Sequence, residues 1–241
     1  MSMQQDSYKQ HISAQYNAEL EAVKNHLLEM GGMVEEQLNQ AMDCLLNRDS
    51  GSAEAIIEAD KNINRMEVEI DEECSRILAR RQPAASDLRL VLAISKVTTD
   101  LERVGDEATK IARLAIKLTE EVSSPSSFIE IRHLAGHVVQ MLRDSLDAFA
   151  RLDVERAVNV VVTDRSADAE YASGIRSLVT FMMEDPRNIG PVLNEIWALR
   201  GLERVGDHAA NIAEQVIYLV RGLDVRHVGL EELLKQAEEV R

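Results

Sequence analysis

The chain has few aromatic residues, only 3% of its 241 positions. Sheets draw heavily on aromatic and β-branched side chains, so a mainly β fold is disfavoured from the start. There are four prolines, which leaves room for long uninterrupted helices. The two cysteines, Cys44 and Cys74, are far apart and lie inside helical patterns. Neither belongs to a Cys-x-x-Cys or Cys/His pairing, so zinc is not indicated and both are expected to be small reduced core residues. No apolar run approaches the roughly 18 residues of a membrane span. The opening stretch Met1 to Gln10 is polar and does not read as a signal peptide, so the chain is expected in the cytoplasm. Gly-rich phosphate loops, nucleophile elbows and kinase motifs are missing, which points to binding rather than catalysis. No evident basic pocket for phosphate is expected either. Positive charge is in short supply: the formal net charge is −15. Such a surface repels nucleic acid and anionic lipid and attracts cations or basic protein patches.

What the chain has in quantity is Leu, Ala, Glu, Ile and Val in helical order. Six helical segments are predicted, at about 9–47, 53–81, 86–121, 127–152, 153–185 and 189–221, with a short amphipathic tail at 230–240. Gly31-Gly32 is a candidate kink in the first. Asp49 and Asp153 precede helices, Pro83 and Pro186 end them, and Ser86 or Asp87 is a candidate cap for the third. Val122 to Ser127 reads as a linker, and Ser127 with Glu130 has capping-box spacing. Apolar residues then recur by alternating fours and threes. In the third segment these are Val97, Leu101, Val104, Ala108, Ile111, Ala115, Leu118 and Val122. In the sixth they are Ala198, Leu202, Val205, Ala209, Ile212, Val216, Leu219 and Leu223. In the second, Ile56, Ile63, Ile70 and Ile77 fall every seven residues, with Ala59 and Met66 between them. That step keeps one seam facing neighbouring helices, as in near-parallel bundles.

The sequence also repeats itself. Leu101-Glu102-Arg103-Val104-Gly105-Asp106 returns as Leu202-Glu203-Arg204-Val205-Gly206-Asp207, and Asp49 and Asp60 align with Asp153 and Asp164. A fixed offset of about a hundred residues marks a structural unit used twice. The fold is therefore predicted to be all-α: two tandem three-helix bundles related by a pseudo-twofold axis, spanning 1–122 and 123–241.

In the repeated hexapeptide the Leu and Val take the core positions, which turns the carboxylates one turn apart, Glu102/Asp106 and Glu203/Asp207, away from the seam. A solvated acidic face is the plain reading. Two features argue for more. Like charges at i and i+4 repel by a few tenths of a kcal/mol. A mid-helix Gly costs about 1 kcal/mol against Ala. Both are kept in both copies. Further acidic residues share the spacing at Asp60/Asn64, Glu67/Asp71 and Asp164/Asp168. If these faces align, the oxygens suit a hard cation, Mg, Mn, Ca or Fe. A carboxylate-bridged di-metal enzyme fits less well, because Glu130–His133 supplies its Glu-x-x-His pattern only once. A metal-free oligomeric scaffold is the other rival, resting on the heptads and on Met30, Met33 and Met42, which this reading places on the surface. Trp197, where the other repeat has Lys96, fits an interface anchor or a core residue equally. His208, opposite Glu107 in the repeat, reads as a surface histidine.

With its doubled Glu-Arg-Val-Gly-Asp, six-helix repeat and acidic balance, the chain resembles the PhoU family of phosphate-transport regulators from about residue 10 to 222. The resemblance implies metal-binding acidic motifs at Glu102/Asp106 and Glu203/Asp207, with companions at Asp60/Asn64 and Asp164/Asp168. Asn64 departs from that pattern, an amide being a neutral and weaker ligand. It also implies a cytoplasmic, homodimeric, non-enzymatic negative regulator of phosphate uptake and of the phosphate-starvation response. Its partners would be the ATP-binding subunit of a phosphate ABC transporter and a membrane sensor histidine kinase.

Overall fold

A computed structural model describes residues 2–120 and 129–226. Six helices account for nearly all of them: α1 (Ser2–Asn47), α2 (Ser50–Arg81), α3 (Ala85–Glu120), α4 (Ile129–Arg151), α5 (Val154–Glu184) and α6 (Ile189–Arg221), with a 3-10 turn at Pro186–Asn188. There is no strand among the described residues. The linker expected at 122–127, the Ser127 cap and the 230–240 tail lie outside the described residues.

The two halves begin their second helices in the same way. The Asp49 carboxylate accepts hydrogen bonds from the backbone N–H groups of Gly51 and Ser52 at 3.1 and 3.2 Å. Asp153 accepts from the N–H of Arg156 at 3.0 Å. Each satisfies donors that the first helical turn leaves without a partner. The third helix starts at Ala85 instead of using Ser86 or Asp87 as a cap; Asp87 accepts from the Tyr16 hydroxyl of α1 at 3.1 Å.

α1 to α3 form one bundle and α4 to α6 the other. α3 packs against α1, α2 and α6, and α6 against α4, α5 and α3, so these two helices are the centre of the molecule. They run antiparallel. Arg89 donates to the Leu219 carbonyl at 3.3 Å, Asp100 meets His208 at 2.8 Å, and Glu107 meets Arg204. One continuous apolar core crosses both bundles. The predicted stripes on α3 and α6 are buried from Val97 to Leu118 and from Ala198 to Leu219, while Leu223 is exposed and Val122 is not described. On α2 the isoleucines and Met66 are buried, but Ala59 faces out.

Two further expectations are overturned. α1 runs unbroken through Gly31-Gly32. Gly31 serves instead as a close-approach point, because a Cβ there would stand 2.6 Å from Leu146 Cδ2 of α4. Met30 and Met42 are buried and Met33 packs against the core, so these three form no exposed methionine surface. Trp197 is not a core residue; it is 62% exposed. Cys44 and Cys74 are buried free thiols, and burial, followed by Asp71, pushes Cys74 up to about 12.

Candidate metal centre

The heptad argument turns the repeated carboxylates toward water, but each central helix meets three neighbours and has little free surface. Glu102 and Glu203 are therefore largely covered, with side chains 16% and 13% exposed. They look across to α2 and α5, the helices that carry the companion acids. Gly105 and Gly206 make that approach possible. A Cβ on Gly105 would meet Asp60 Oδ1 at 3.4 Å and Gln37 Oε1 at 3.2 Å, and one on Gly206 would meet Asp164 Oδ1 at 3.4 Å. The repeated glycine thus seats the carboxylate of the neighbouring helix against bare backbone.

From this common frame the two halves diverge. In the second, ligand oxygens of Asp168, Glu203 and Asp207 lie within 4.8 Å of one another, the one such group of three among the described residues. Asp164 sits beside them, and burial followed by Asp168, Asp207 and Glu203 raises its carboxyl to about 7. Glu203 is raised by burial and then by Asp207, although Arg200 bonds its Oε1 at 2.7 Å. Asp207 keeps an exposed edge, yet partial burial and Asp168 raise it too. The second oxygen of Glu203 is buried with no hydrogen-bond partner among the described residues. Like-charged oxygens held this close, one of them orphaned, fit a hard cation well.

In the first half amides and an arginine occupy part of the same frame, although Glu102 Oε2 is, like Glu203 Oε2, buried without a hydrogen-bond partner among the described residues. Asp60 accepts from Gln37 Nε2 and from Asn64 Nδ2, both at 3.2 Å. Arg103 lies 3.4 Å from Glu102 and 3.8 Å from Asp106. Asp71 accepts from Ser95 at 2.7 Å. Glu102 is still raised, by burial and then Asp106, and Glu67 by burial and then Asp71. So of the eight predicted ligands, Asp168, Glu203 and Asp207 come together with Asp164 alongside. Asp60, Asn64, Glu102 and Asp106 form a hydrogen-bonded and ion-paired set. Gln37 was missed by sequence reasoning, although the repeat offset could have found it. Its counterpart is Met141, which packs 3.7 Å from the Cβ position of Gly206 and offers Asp164 no proton. The Glu-x-x-His pattern does not face inward: His133 is exposed and Glu130 accepts from Ser177.

The raised Asp164 makes stability depend on pH. Its folded pKa of about 7 stands above the ordinary 3.8. Folding therefore favours the protonated form; that contribution is complete below about pH 4 and is lost as pH rises through 7. With cations chelated, the melting temperature should fall between pH 6 and 8. Asp164→Asn should flatten that slope and raise stability at pH 8 by about 1–2 kcal/mol, after discounting for solvent screening. Melting curves at the two pH values check both statements, and an unchanged slope in the variant would refute the assignment.

Known proteins share this architecture. The family model described as PhoU domain matches the chain twice, at residues 27–115 and 131–216. A Pseudomonas aeruginosa protein named phosphate-specific transport system accessory protein PhoU homolog is 58% identical over 98% of both chains. The Escherichia coli protein named phosphate-specific transport system accessory protein PhoU is 49% identical over 93% of both. The crystal structure of PhoU from Pseudomonas aeruginosa superposes with a TM-score of 0.84 at 60% identity, over 86% of this chain and 100% of that one. The phosphate transport system regulatory protein PhoU from Streptococcus pneumoniae superposes at 0.79 with 29% identity, over 87% of this chain and 99% of that one. Both halves of the molecule carry the match, and the chain belongs to the PhoU family.

Proposed function

We propose that this chain is a cytoplasmic, homodimeric adaptor that restrains phosphate uptake and the phosphate-starvation response, and that it does so without catalysis. It joins the ATP-binding subunit of a phosphate ABC transporter to a membrane sensor histidine kinase. The carrying observation is full-length similarity, through both repeats, to accessory proteins of phosphate-specific transport. No helix among the described residues is long and apolar enough to cross a membrane, which agrees with an adaptor that reaches the bilayer through its partners. On α5, Val179 and Met183 are exposed one turn apart and leave apolar surface for self-association.

Within this reading the acidic face of the second half binds one hard divalent or iron cation through Asp168, Glu203 and Asp207, with Asp164 in support. In the first half Asn64 replaces the Asp168 ligand, and Gln37 and Arg103 engage Asp60, Glu102 and Asp106, so no cation is assigned there. A bound cation would cancel the mutual repulsion of these carboxylates and clamp α5 onto α6.

Deleting the gene and following a phosphate-starvation reporter in phosphate-rich medium tests the regulatory reading. The reporter should switch on. A silent reporter would leave the family membership intact and remove the proposed role.

A further inference from the structure

Against a net charge of −15, one groove is basic. It lies where the C-terminal half of α3 faces the N-terminal half of α6, and Lys110, Arg113, Lys117, Arg200 and Arg204 line it. The acid in its lining, Glu107, is buried and shared by Lys110 and Arg204. Arg113 and Lys117 have no ion pair among the described residues. Trp197 also lines it and is 62% exposed, and Leu193 and Ile189, which precede it on α6 by one turn and two, are 44% and 45% exposed.

The pseudo-twofold supplies an internal control. The positions equivalent to Lys110, Arg113 and Lys117 are Asn211, Glu214 and Tyr218; those equivalent to Trp197 and Arg200 are Lys96 and Thr99. Only Arg204 keeps its charge, as Arg103. The bundle therefore requires neither the cations nor the tryptophan, and their gathering on one flank is particular to that flank.

We infer that this groove docks an acidic amphipathic helix of a partner protein. Its apolar stripe would lie on Ile189, Leu193 and Trp197, and its carboxylates on the α3 cations. The three α3 cations spread over about 10 Å of helix, so they do not converge on a single phosphate. Exposed tryptophan beside arginine is the composition of protein-binding hot spots, and stripes at one-turn spacing are how helices are read in grooves. The inference rests on the adaptor reading for its biological partner, but not for its chemistry.

Trp197 is the only tryptophan in the chain, so its emission reports on the groove directly. The full-length protein is titrated with a synthetic helix-forming peptide carrying Leu at one-turn spacing between Glu flanks. The same peptide with Lys for Glu, ATP, and inorganic phosphate are run beside it. The acidic peptide should shift Trp197 emission to the blue, with affinity falling as salt rises. Arg113→Glu with Lys117→Glu, checked for helix content, should weaken binding at least about tenfold. No response to the acidic peptide, an equal response to the Lys peptide, or a response to ATP or phosphate alone would each overturn the inference. So would emission that changes with protein concentration alone, which would make the groove a contact between copies. Peptide binding together with a silent deletion reporter would keep the groove and remove the adaptor role; the converse pair would do the opposite.

Discussion

Protein stripped by chelator and returned to Mg²⁺ or Mn²⁺ is expected to melt several degrees higher. A cation that binds only the folded state contributes about 2.7 kcal/mol at a hundred times its dissociation constant. For a chain of this size that is a rise of about 5–10 °C. The effect should belong to one half of the molecule. Glu203→Gln with Asp207→Asn removes two of three gathered ligands and should abolish the rise. Glu102→Gln with Asp106→Asn acts on carboxylates that Arg103 already attends, and should leave it nearly whole. The response should also fade below pH 7, because protons compete for Asp164 and its neighbours. Calorimetry with and without cation for both double variants decides the matter. Equal loss in the two would overturn the one-sided assignment.

The largest loss of stability is expected at the seam between bundles. Glu107 is 3% exposed, and its carboxylate is held by Lys110 at 3.0 Å and by Arg204 of the opposite helix. Lys110→Ala with Arg204→Ala strands that charge in a site water barely reaches. Glu107 is buried but Lys110 and Arg204 are about half exposed, so the cost is discounted for solvent to about 1–3 kcal/mol. Adding Glu107→Gln should recover a good part of it, since a neutral amide is far cheaper to cover than an anion. Urea unfolding of the double and triple variants is the check. A double variant as stable as the parent would overturn this role for the two cations.

Much of this architecture is written in the chain. The α3 and α6 stripes, the Asp49 and Asp153 caps and the doubled hexapeptide lead directly to a repeated helical bundle. The site was half legible, for a geometric reason. A heptad assigns one inward seam to each helix, but α3 and α6 each pack on three others, so positions assigned to solvent, Glu102 and Glu203 among them, became helix–helix contacts. The same limit hid Gly31, whose role depends on where Leu146 arrives from a helix more than a hundred residues away. The difference between the halves was partly readable, because Asn64 stands where the second half has Asp168, but Gln37 and Met141 lie on helices that carry no acidic motif.

Two identical three-helix chains paired about a true twofold would show every surface twice. Joined in one polypeptide, the halves are free to differ, and across the α3–α6 seam they do. One flank carries Glu107 with Arg204, and the other carries Asp100 with His208. A symmetric pair could only gather two copies of the same partner. Under the adaptor reading proposed above, two flanks that share a backbone plan but not a charge would suit two unlike partners, each recognising a side the other ignores.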